Sequence, residues 1–242
     1  MIKTEICINC DKISEMSKAV KAAFSAGADT VELCSAMHLD GLTPKQEFII
    51  EARKEFQNKT GLMVMIRPRE GDFCYSKKEL TEMKKLIISA AQLGANGVVF
   101  GVLNKTNNID SDAMNSLIEV CRKFNLFTTF HRAFDTLVNP LESLELLVRL
   151  GVDRILTSGT KWGAGKTAID GIDNLRQLTE AAKSRIEIVI AGGINSKNVK
   201  EILQKLPLNG NNISVHAYSG VQEDGITTFD AVSELIMKVK GF

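Results

Sequence analysis

The sequence predicts an α/β fold, a TIM-like (β/α)8 barrel formed by a single domain of residues 1–242. Three observations predict this class. Eight short apolar runs rich in Val and Ile alternate with segments of helical period. One motif recurs along the chain: a glycine ends a helix, and a polar turn then leads into the next apolar run. Stretches rich in Pro, Gly and Ser, which would mark a linker between two domains, do not divide the sequence.

The apolar runs are too short for helices and are interpreted as strands. They lie at Thr4–Ile8, Thr30–Cys34, Leu62–Arg67, Gly97–Gly101, Leu126–His131, Arg154–Thr157, Ile186–Ala191 and Asn212–His216. The segments between them place apolar residues at spacings of three and four, most clearly in Ser76–Leu93 and Pro140–Leu150. Each strand is therefore expected to be followed by an amphipathic helix.

Helix starts and the repeated glycine motif support the same division. A capping polar residue, or a Pro in the first turn, is expected at Thr43-Pro44, Asp110-Ser111 and Asn139-Pro140. The glycine motif is centred on Gly27, Gly94 and Gly151, before the second, fourth and sixth runs, so the repeating unit is two βα pairs. Eight βα units average about 30 residues each, which is a normal size. A doubly wound open sheet is the alternative, but residues 9–12, which follow the first run, contain no glycine.

The composition excludes several classes of protein. A net charge of +1 and a hydrophobic content of 44% argue against a disordered chain and against a dedicated nucleic-acid-binding protein. No apolar run approaches the roughly 18 residues of a membrane span, and the first residues lack the features of a signal peptide. We therefore expect a cytoplasmic protein. The 5 cysteines are an odd number in a chain of 242 residues, which argues against a disulfide framework.

Polar residues gather at the carboxyl ends of the predicted strands, where barrels of this class carry their active sites. Charged side chains within apolar runs are costly to bury unless they are paired. The presence of Glu5, Glu32, Arg67 and His131 in such runs is therefore the main functional signal of the sequence. A buried structural network of ion pairs is the alternative interpretation of the same residues.

Five stretches of the sequence together resemble the signature of a known family. They are Glu32–Cys34, Met65–Ser76, Gly97–Leu103, Thr129–Asp135 and Arg154–Gly159. In combination they resemble the CutC family of copper homeostasis proteins, and the resemblance extends from about residue 5 to residue 216. It implies a cytosolic TIM-like barrel that binds or handles copper.

The resemblance implies copper, as Cu(I), bound by Cys7 and Cys34. These cysteines end the first and second predicted strands, which are neighbours, and two thiolates suit a soft ion of low coordination number. Cys10 lies in C-x-x-C spacing from Cys7 and is a weaker third candidate. For each cysteine the alternative is a small buried apolar residue.

An enzyme that acts on a small anionic metabolite is the alternative function. Carboxylates and a histidine would supply a general base and its orienting partner, and arginines would clamp a carboxylate or phosphate. The candidate catalytic residues are Glu5, Glu32, Arg67, His131, Arg132 and Asp135. The candidate ligand-binding residues are Arg69, Asp72, Ser158, Gly159, Gly192, Gly193 and His216. In either case we expect the barrel to form a homo-oligomer. We expect it to bind a copper ion or a small anionic ligand and to bind neither membranes nor nucleic acids.

Overall fold

The computed structural model describes residues 2–242, and Met1 lies outside the described residues. It contains a closed barrel of parallel strands that are hydrogen-bonded in chain order, with the eighth strand closing on the first. The strands are β1 Lys3–Asn9, β2 Thr30–Cys34, β3 Leu62–Met65, β4 Gly97–Phe100, β5 Phe127–Phe130, β6 Arg154–Thr157, β7 Glu187–Ile190 and β8 Ile213–Ala217. The predicted fold class is thus confirmed.

The helices form an outer layer around the strands. They are α1 Ile13–Ala26, α2 Gln46–Phe56, α3 Lys77–Gln92, α4 Ser111–Lys123, α5 Pro140–Leu150, α6 Ile172–Ala182, α7 Val199–Gln204 and α8 Phe229–Val239. Short 3-10 turns occupy Met37–Leu39, Arg132–Thr136 and Ser219–Val221, and a small antiparallel hairpin pairs β9 Gln222–Glu223 with β10 Ile226–Thr227. This hairpin, between β8 and α8, was not expected from the sequence.

Local signals place three of the eight helix starts named above. Ser76 precedes α3 and forms a capping box, the side chain of Asp110 accepts a hydrogen bond from the N–H of Ala113 in the first turn of α4, and Pro140 is the first residue of α5. The expected start at Thr43 was wrong, because α2 begins further along the chain. The hydroxyl of Thr43 instead accepts a hydrogen bond of 2.8 Å from the backbone N–H of Arg67, which joins two loops at the carboxyl ends of the strands.

The register of β1 against its neighbours positions the polar residues of the interior. Cys7 lies opposite Glu32 on β2, and Glu5 lies opposite His216 on β8. Side chains alternate along a strand, so Glu5 and Cys7 share one face while Ile6 packs in the large apolar cluster with the helices. That cluster fills the space between the strands and the helical layer. A smaller apolar cluster around Cys7 lies within the barrel.

Across residues 2–242, none of the helices combines the length and the apolar character that a membrane crossing requires.

Candidate metal site at the mouth of the barrel

The carboxyl ends of the strands surround a cavity of about 270 Å³, which we call the mouth chamber. Loops from most of the strands contribute to its wall, as expected for this fold. Its lining includes Cys7, Glu32, Cys34, Met37, Met65, Arg67, Phe73, His131, Arg132, Trp162, Gly192, Gly193, His216 and Tyr218. The structure therefore brings together both cysteines predicted as metal ligands with several of the predicted ionisable residues.

Two buried thiols lie side by side at the base of the mouth chamber. Cys7 and Cys34 are each 1% exposed, and their sulfur atoms lie within 4.8 Å of each other and of a carboxylate oxygen of Glu32. Thiolates are the protein ligands that soft metal ions prefer. The Cys7 thiol also lies 4.0 Å from the thioether sulfur of Met37, which follows β2. This donor set fits a soft monovalent ion such as Cu(I).

The two thiols differ in acidity. The hydrogen bond from Cys34 lowers the pKa of Cys7 to about 6, assisted by the neighbouring His216 and opposed by burial. The same hydrogen bond, together with burial, raises the pKa of Cys34 well above its ordinary value. Cys7 is accordingly the thiolate of the pair near neutral pH, and Cys34 donates its proton to it.

Glu32 lies beside the thiols as an uncharged acid at neutral pH. Burial and the negative charge at Cys7 raise the pKa of Glu32 to about 8, although the His216 charge acts in the opposite direction. Its Oε2 lies 3.6 Å from Nε2 of His216, and its Oε1 finds no hydrogen-bond partner among residues 2–242. A buried polar atom without a partner is uncommon in native structures, which marks this side of the mouth chamber as a place for a ligand.

Below the thiols, Glu5 connects His216 to the bottom of the barrel. Its carboxylate contacts Nδ1 of His216 at 3.0 Å and accepts hydrogen bonds from Arg154 at 2.7 Å and from Thr30 at 2.8 Å. Burial alone would raise the pKa of Glu5, but the Arg154 charge and the His216 contact hold it well below its usual range. Burial likewise opposes the charge on His216, yet its contacts with Cys7 and Glu5 raise its pKa well above the ordinary value. Glu5 therefore orients His216 from beneath the chamber and stabilises its protonated, positively charged form.

His131 contributes a neutral ring to the chamber wall. Its Nδ1 accepts a hydrogen bond of 3.2 Å from the backbone N–H of Ala133, so the ring proton resides on Nε2. Burial, with the nearby Arg67 charge, lowers the pKa of His131 to about 3. The ring packs against Phe73, with a distance of 4.8 Å between centroids. At physiological pH His131 is thus a hydrogen-bond donor without charge.

Arg67 holds the loops that surround the chamber. Its guanidinium donates hydrogen bonds of 2.7 Å to Leu39 O, 3.1 Å to Gly41 O and 3.0 Å to Gly71 O, and it lies over the ring of Phe73. Because β3 ends before it, Arg67 belongs to the loop rather than to the strand predicted from the sequence. These contacts give Arg67 a positioning role for the loop that follows β2.

Arg132 and Asp135 form a separate polar cluster on the β5 side. Asp135 accepts hydrogen bonds from Arg132 at 2.8 Å, from the Ser158 hydroxyl at 2.9 Å and from the Thr157 hydroxyl. Arg132 also lies over the ring of Trp162, 5.0 Å from its centroid, and faces the mouth chamber. Asp135 and Ser158 therefore support Arg132 from behind.

The remaining predicted ligand-binding residues occupy different places. Arg69 and Asp72 pair at 2.9 Å in the loop after β3, outside the wall of the mouth chamber. Gly192 and Gly193 line the chamber, both with positive φ. Gly159 also has a positive φ, and close packing requires glycine there, because a Cβ would lie 2.5 Å from a backbone oxygen of residue 171.

Three cysteines lie away from the thiol pair. Cys10 donates to the backbone of β1 and packs in the apolar layer between strands and helices, as does Cys121, while Cys74 lies in the loop after β3. The C-x-x-C spacing of Cys7 and Cys10 therefore does not bring the two thiols to one site. Met37 and Arg154 contact the predicted site but were missed from the sequence. Met37 carries no motif, and Arg154, on β6, reaches Glu5 on β1 only because the strands close into a barrel.

Known proteins of one family match most of this chain. The model of the CutC family matches residues 2–217. A CutC family protein of Vibrio cholerae serotype O1 is 41% identical over 200 residues, which cover 83% of this chain and 74% of that protein. The human copper homeostasis protein cutC homolog is 39% identical over 200 residues, covering 83% of this chain and 68% of that protein.

Solved structures give the same result. The crystal structure of the putative copper homeostasis protein CutC from Streptococcus agalactiae superposes with a TM-score of 0.76 at 33% identity, covering 89% of this chain and 98% of that one. A thiamine phosphate pyrophosphorylase from Pyrococcus furiosus superposes with a TM-score of 0.63 at 17% identity over 98% of this chain and 96% of its own, a likeness in fold alone. The chain therefore belongs to the CutC family.

Proposed function

We propose that this protein binds copper as Cu(I) through Cys7 and Cys34 and thereby takes part in copper homeostasis. The observation that carries the proposal is the convergence of two buried thiols from neighbouring strands on one open chamber. The name of the human relative, a copper homeostasis protein homolog, supports copper as the metal. Two thiolates match the preference of Cu(I) for soft ligands and low coordination numbers.

The residues around the thiols suit the binding of a monovalent cation. Cys7 already carries the negative charge, so an incoming ion replaces only the proton that Cys34 shares with it. His216 and Glu5 hold that charge in place from below. The arriving ion reaches the thiols from solvent through the mouth chamber.

Anaerobic titration with Cu(I), in competition with a chromogenic Cu(I) chelator, tests the proposal. The Cys7→Ser/Cys34→Ser variant is expected to lose at least about a hundredfold in affinity, which is about 2.7 kcal/mol. A Cys10→Ser/Cys121→Ser variant is the matched control, because it removes two buried thiols outside the chamber. Equal affinity of wild type and the Cys7/Cys34 variant would disprove copper binding at this site.

An enzyme that acts on a small anionic metabolite remains a second candidate. The observation in its favour is that the chamber exceeds the size of a single ion and is lined by Arg132 and by the neutral donor His131. In this reaction Glu32 would exchange a proton with the substrate, while Glu5 and Asp135 orient His216 and Arg132. A thermal-shift screen of small carboxylates and phosphates, repeated on Arg132→Gln, tests it. A shift that persists in the variant would count against the assignment.

We also propose that the protein works in the cytoplasm as a homo-oligomer. The exposed apolar side chains of Phe127, Val138 and Met237 offer surface for self-association. Sedimentation equilibrium measures the assembly directly, and a single species of 26.5 kDa would contradict it. Cell fractionation with an antibody against the protein tests the compartment.

A further inference from the structure

The loop after β2 brings a third sulfur atom to the two thiols. Met37 Sδ lies 4.0 Å from Cys7 Sγ. A Cβ built on Gly41 would lie 3.5 Å from Cys34 Sγ and 3.7 Å from Met37 Sδ, so both of these sulfurs border the same small space. The sulfur atoms of Cys7, Cys34 and Met37 are therefore gathered at one point of the chamber wall.

The backbone of this loop is built to hold Met37 there. Ala36 adopts a left-handed conformation at φ +50° and its N–H donates to the Asp11 carboxylate at 2.8 Å, so the chain turns sharply before Met37. After the turn, Arg67 donates to the carbonyls of Leu39 and Gly41. The loop is thus tied on both sides of Met37, to the loop after β1 and to the loop after β3.

The separation of Cys7 Sγ and Met37 Sδ matches that of two sulfur ligands around a single metal ion. Sulfur ligands about 2.3 Å from a metal, the distance of thiolates from zinc, are about 4.0 Å apart when three of them surround the ion at trigonal angles. The observed separation of Cys7 Sγ and Met37 Sδ has this value. Two thiols alone would leave the side of the ion that faces Met37 without a ligand.

We propose that Met37 Sδ is the third ligand of the copper ion, completing a trigonal site with Cys7 and Cys34. This inference rests on the proposed function. Glu32 is the competing third ligand, since its oxygen lies within 4.8 Å of both thiols. A thioether is the better partner for Cu(I), because it is soft and uncharged, whereas Glu32 is a hard ligand that would first have to lose its proton and would then add negative charge to a buried pair of thiolates.

A thioether ligand makes the site selective for soft monovalent ions. Zn²⁺ prefers thiolate, imidazole and carboxylate ligands in a tetrahedral arrangement, so Met37 contributes nothing to its binding. Removal of the thioether is therefore expected to weaken Cu(I) and leave Zn²⁺ unaffected. This difference separates a lost ligand from a general disturbance of the thiol pair.

Met37→Leu tests the assignment, because it removes the sulfur and keeps the side-chain volume. The Cu(I) affinity of Met37→Leu is expected to fall at least about tenfold, which is about 1.4 kcal/mol, with unchanged Zn²⁺ affinity. X-ray absorption at the copper edge of the Cu(I)-loaded proteins is expected to show one sulfur neighbour fewer in the variant. Met65→Leu is the matched control, since Met65 lines the same chamber from the β3 side.

The possible results distinguish failure of the third ligand from failure of copper binding. If wild type fails to bind Cu(I), the proposed function fails and the role of Met37 fails with it. If wild type binds through the two cysteines but Met37→Leu has the same affinity and sulfur count, copper binding stands and the third ligand is disproved. Equal losses in Met37→Leu and Met65→Leu, or a parallel loss for Zn²⁺, would also overturn the assignment. A loss confined to Cu(I) and to Met37→Leu supports it.

Discussion

Replacing Arg154 by methionine removes the positive charge that holds Glu5 inside the barrel. The guanidinium contacts the Glu5 carboxylate at 2.7 Å and Glu187 at 3.4 Å, and the Glu5 side chain is 1% exposed. Once the guanidinium is gone, Glu5 retains hydrogen bonds from Thr30 and His216 but faces an apolar methionine where its ion pair had been.

Breaking a buried ion pair by removal of one partner costs about 3–5 kcal/mol, because an uncompensated charge stays buried. Glu5→Gln is expected to cost less, since Arg154 keeps its contact with Glu187. The Glu5→Gln/Arg154→Met double variant also lacks the Glu5 carboxylate, so no unpaired buried charge remains there. The two single losses are therefore not additive, and the double variant recovers about 1–3 kcal/mol of their sum.

Urea denaturation of the four proteins, followed by circular dichroism, measures these free energies of unfolding. Lys205→Met is the control, because Lys205 forms an exposed pair with Glu201 at 2.7 Å in which both side chains are about half exposed. Exposed pairs contribute about 0–1 kcal/mol. A loss for Arg154→Met as small as that of the control, or strict additivity in the double variant, would refute the role assigned to the pair.

Three further predictions concern the chamber and its supporting loops. The pKa of His131, about 3, lies below its value in the unfolded chain, so the folded state loses stability as the pH falls below about 6.5. His131→Gln should therefore reduce the pH dependence of the free energy of unfolding by about 1.4 kcal/mol per pH unit between pH 6 and 4. An unchanged pH dependence would contradict the buried, neutral state of His131. Gly159→Ala should cost about 1–3 kcal/mol in urea denaturation, more than Gly163→Ala, whose added Cβ meets open space; equal costs would be inconsistent with the packing. Arg67→Met should lower the free energy of local opening of residues 36–42 by about 2 kcal/mol in hydrogen exchange, and unaltered exchange there would show that Arg67 does not hold the loop.

The fold was predictable because its signals are local. Eight apolar runs and glycine-ended helices already separate strands from helices, and the closed barrel follows from the number of βα units. The misplaced start of α2 has a physical reason. Thr43 satisfies a backbone N–H of a different loop, and a sequence shows no sign of such a contact between distant segments.

Residues of the candidate site were predictable from the sequence only where reactive side chains lie at the ends of strands. The proximity of Cys7 and Cys34 was predictable because each lies near the end of a strand, and the ends of neighbouring parallel strands lie close together. Their role as metal ligands was implied only by the family resemblance. Met37 follows β2 in a loop without a motif, and a methionine is more often a packing residue. Met37 lies near the thiols because Ala36 adopts a left-handed conformation and because Arg67 holds the loop by a hydrogen bond to Leu39.

The interior charges alternate in sign from the bottom of the barrel to the thiols. In order they are Glu187, Arg154, Glu5, His216 and Cys7, each in contact with the next. In a low-dielectric interior each charge is tolerated because its neighbours have the opposite sign. Exchange of the Cys34 proton for a monovalent ion keeps a single negative charge at the sulfurs, opposite to the charge of His216, whereas a divalent ion would neutralise the two thiolates and remove that opposite charge. The arrangement beneath the chamber therefore favours a monovalent cation for the same reason that the sulfur ligands above it favour a soft one.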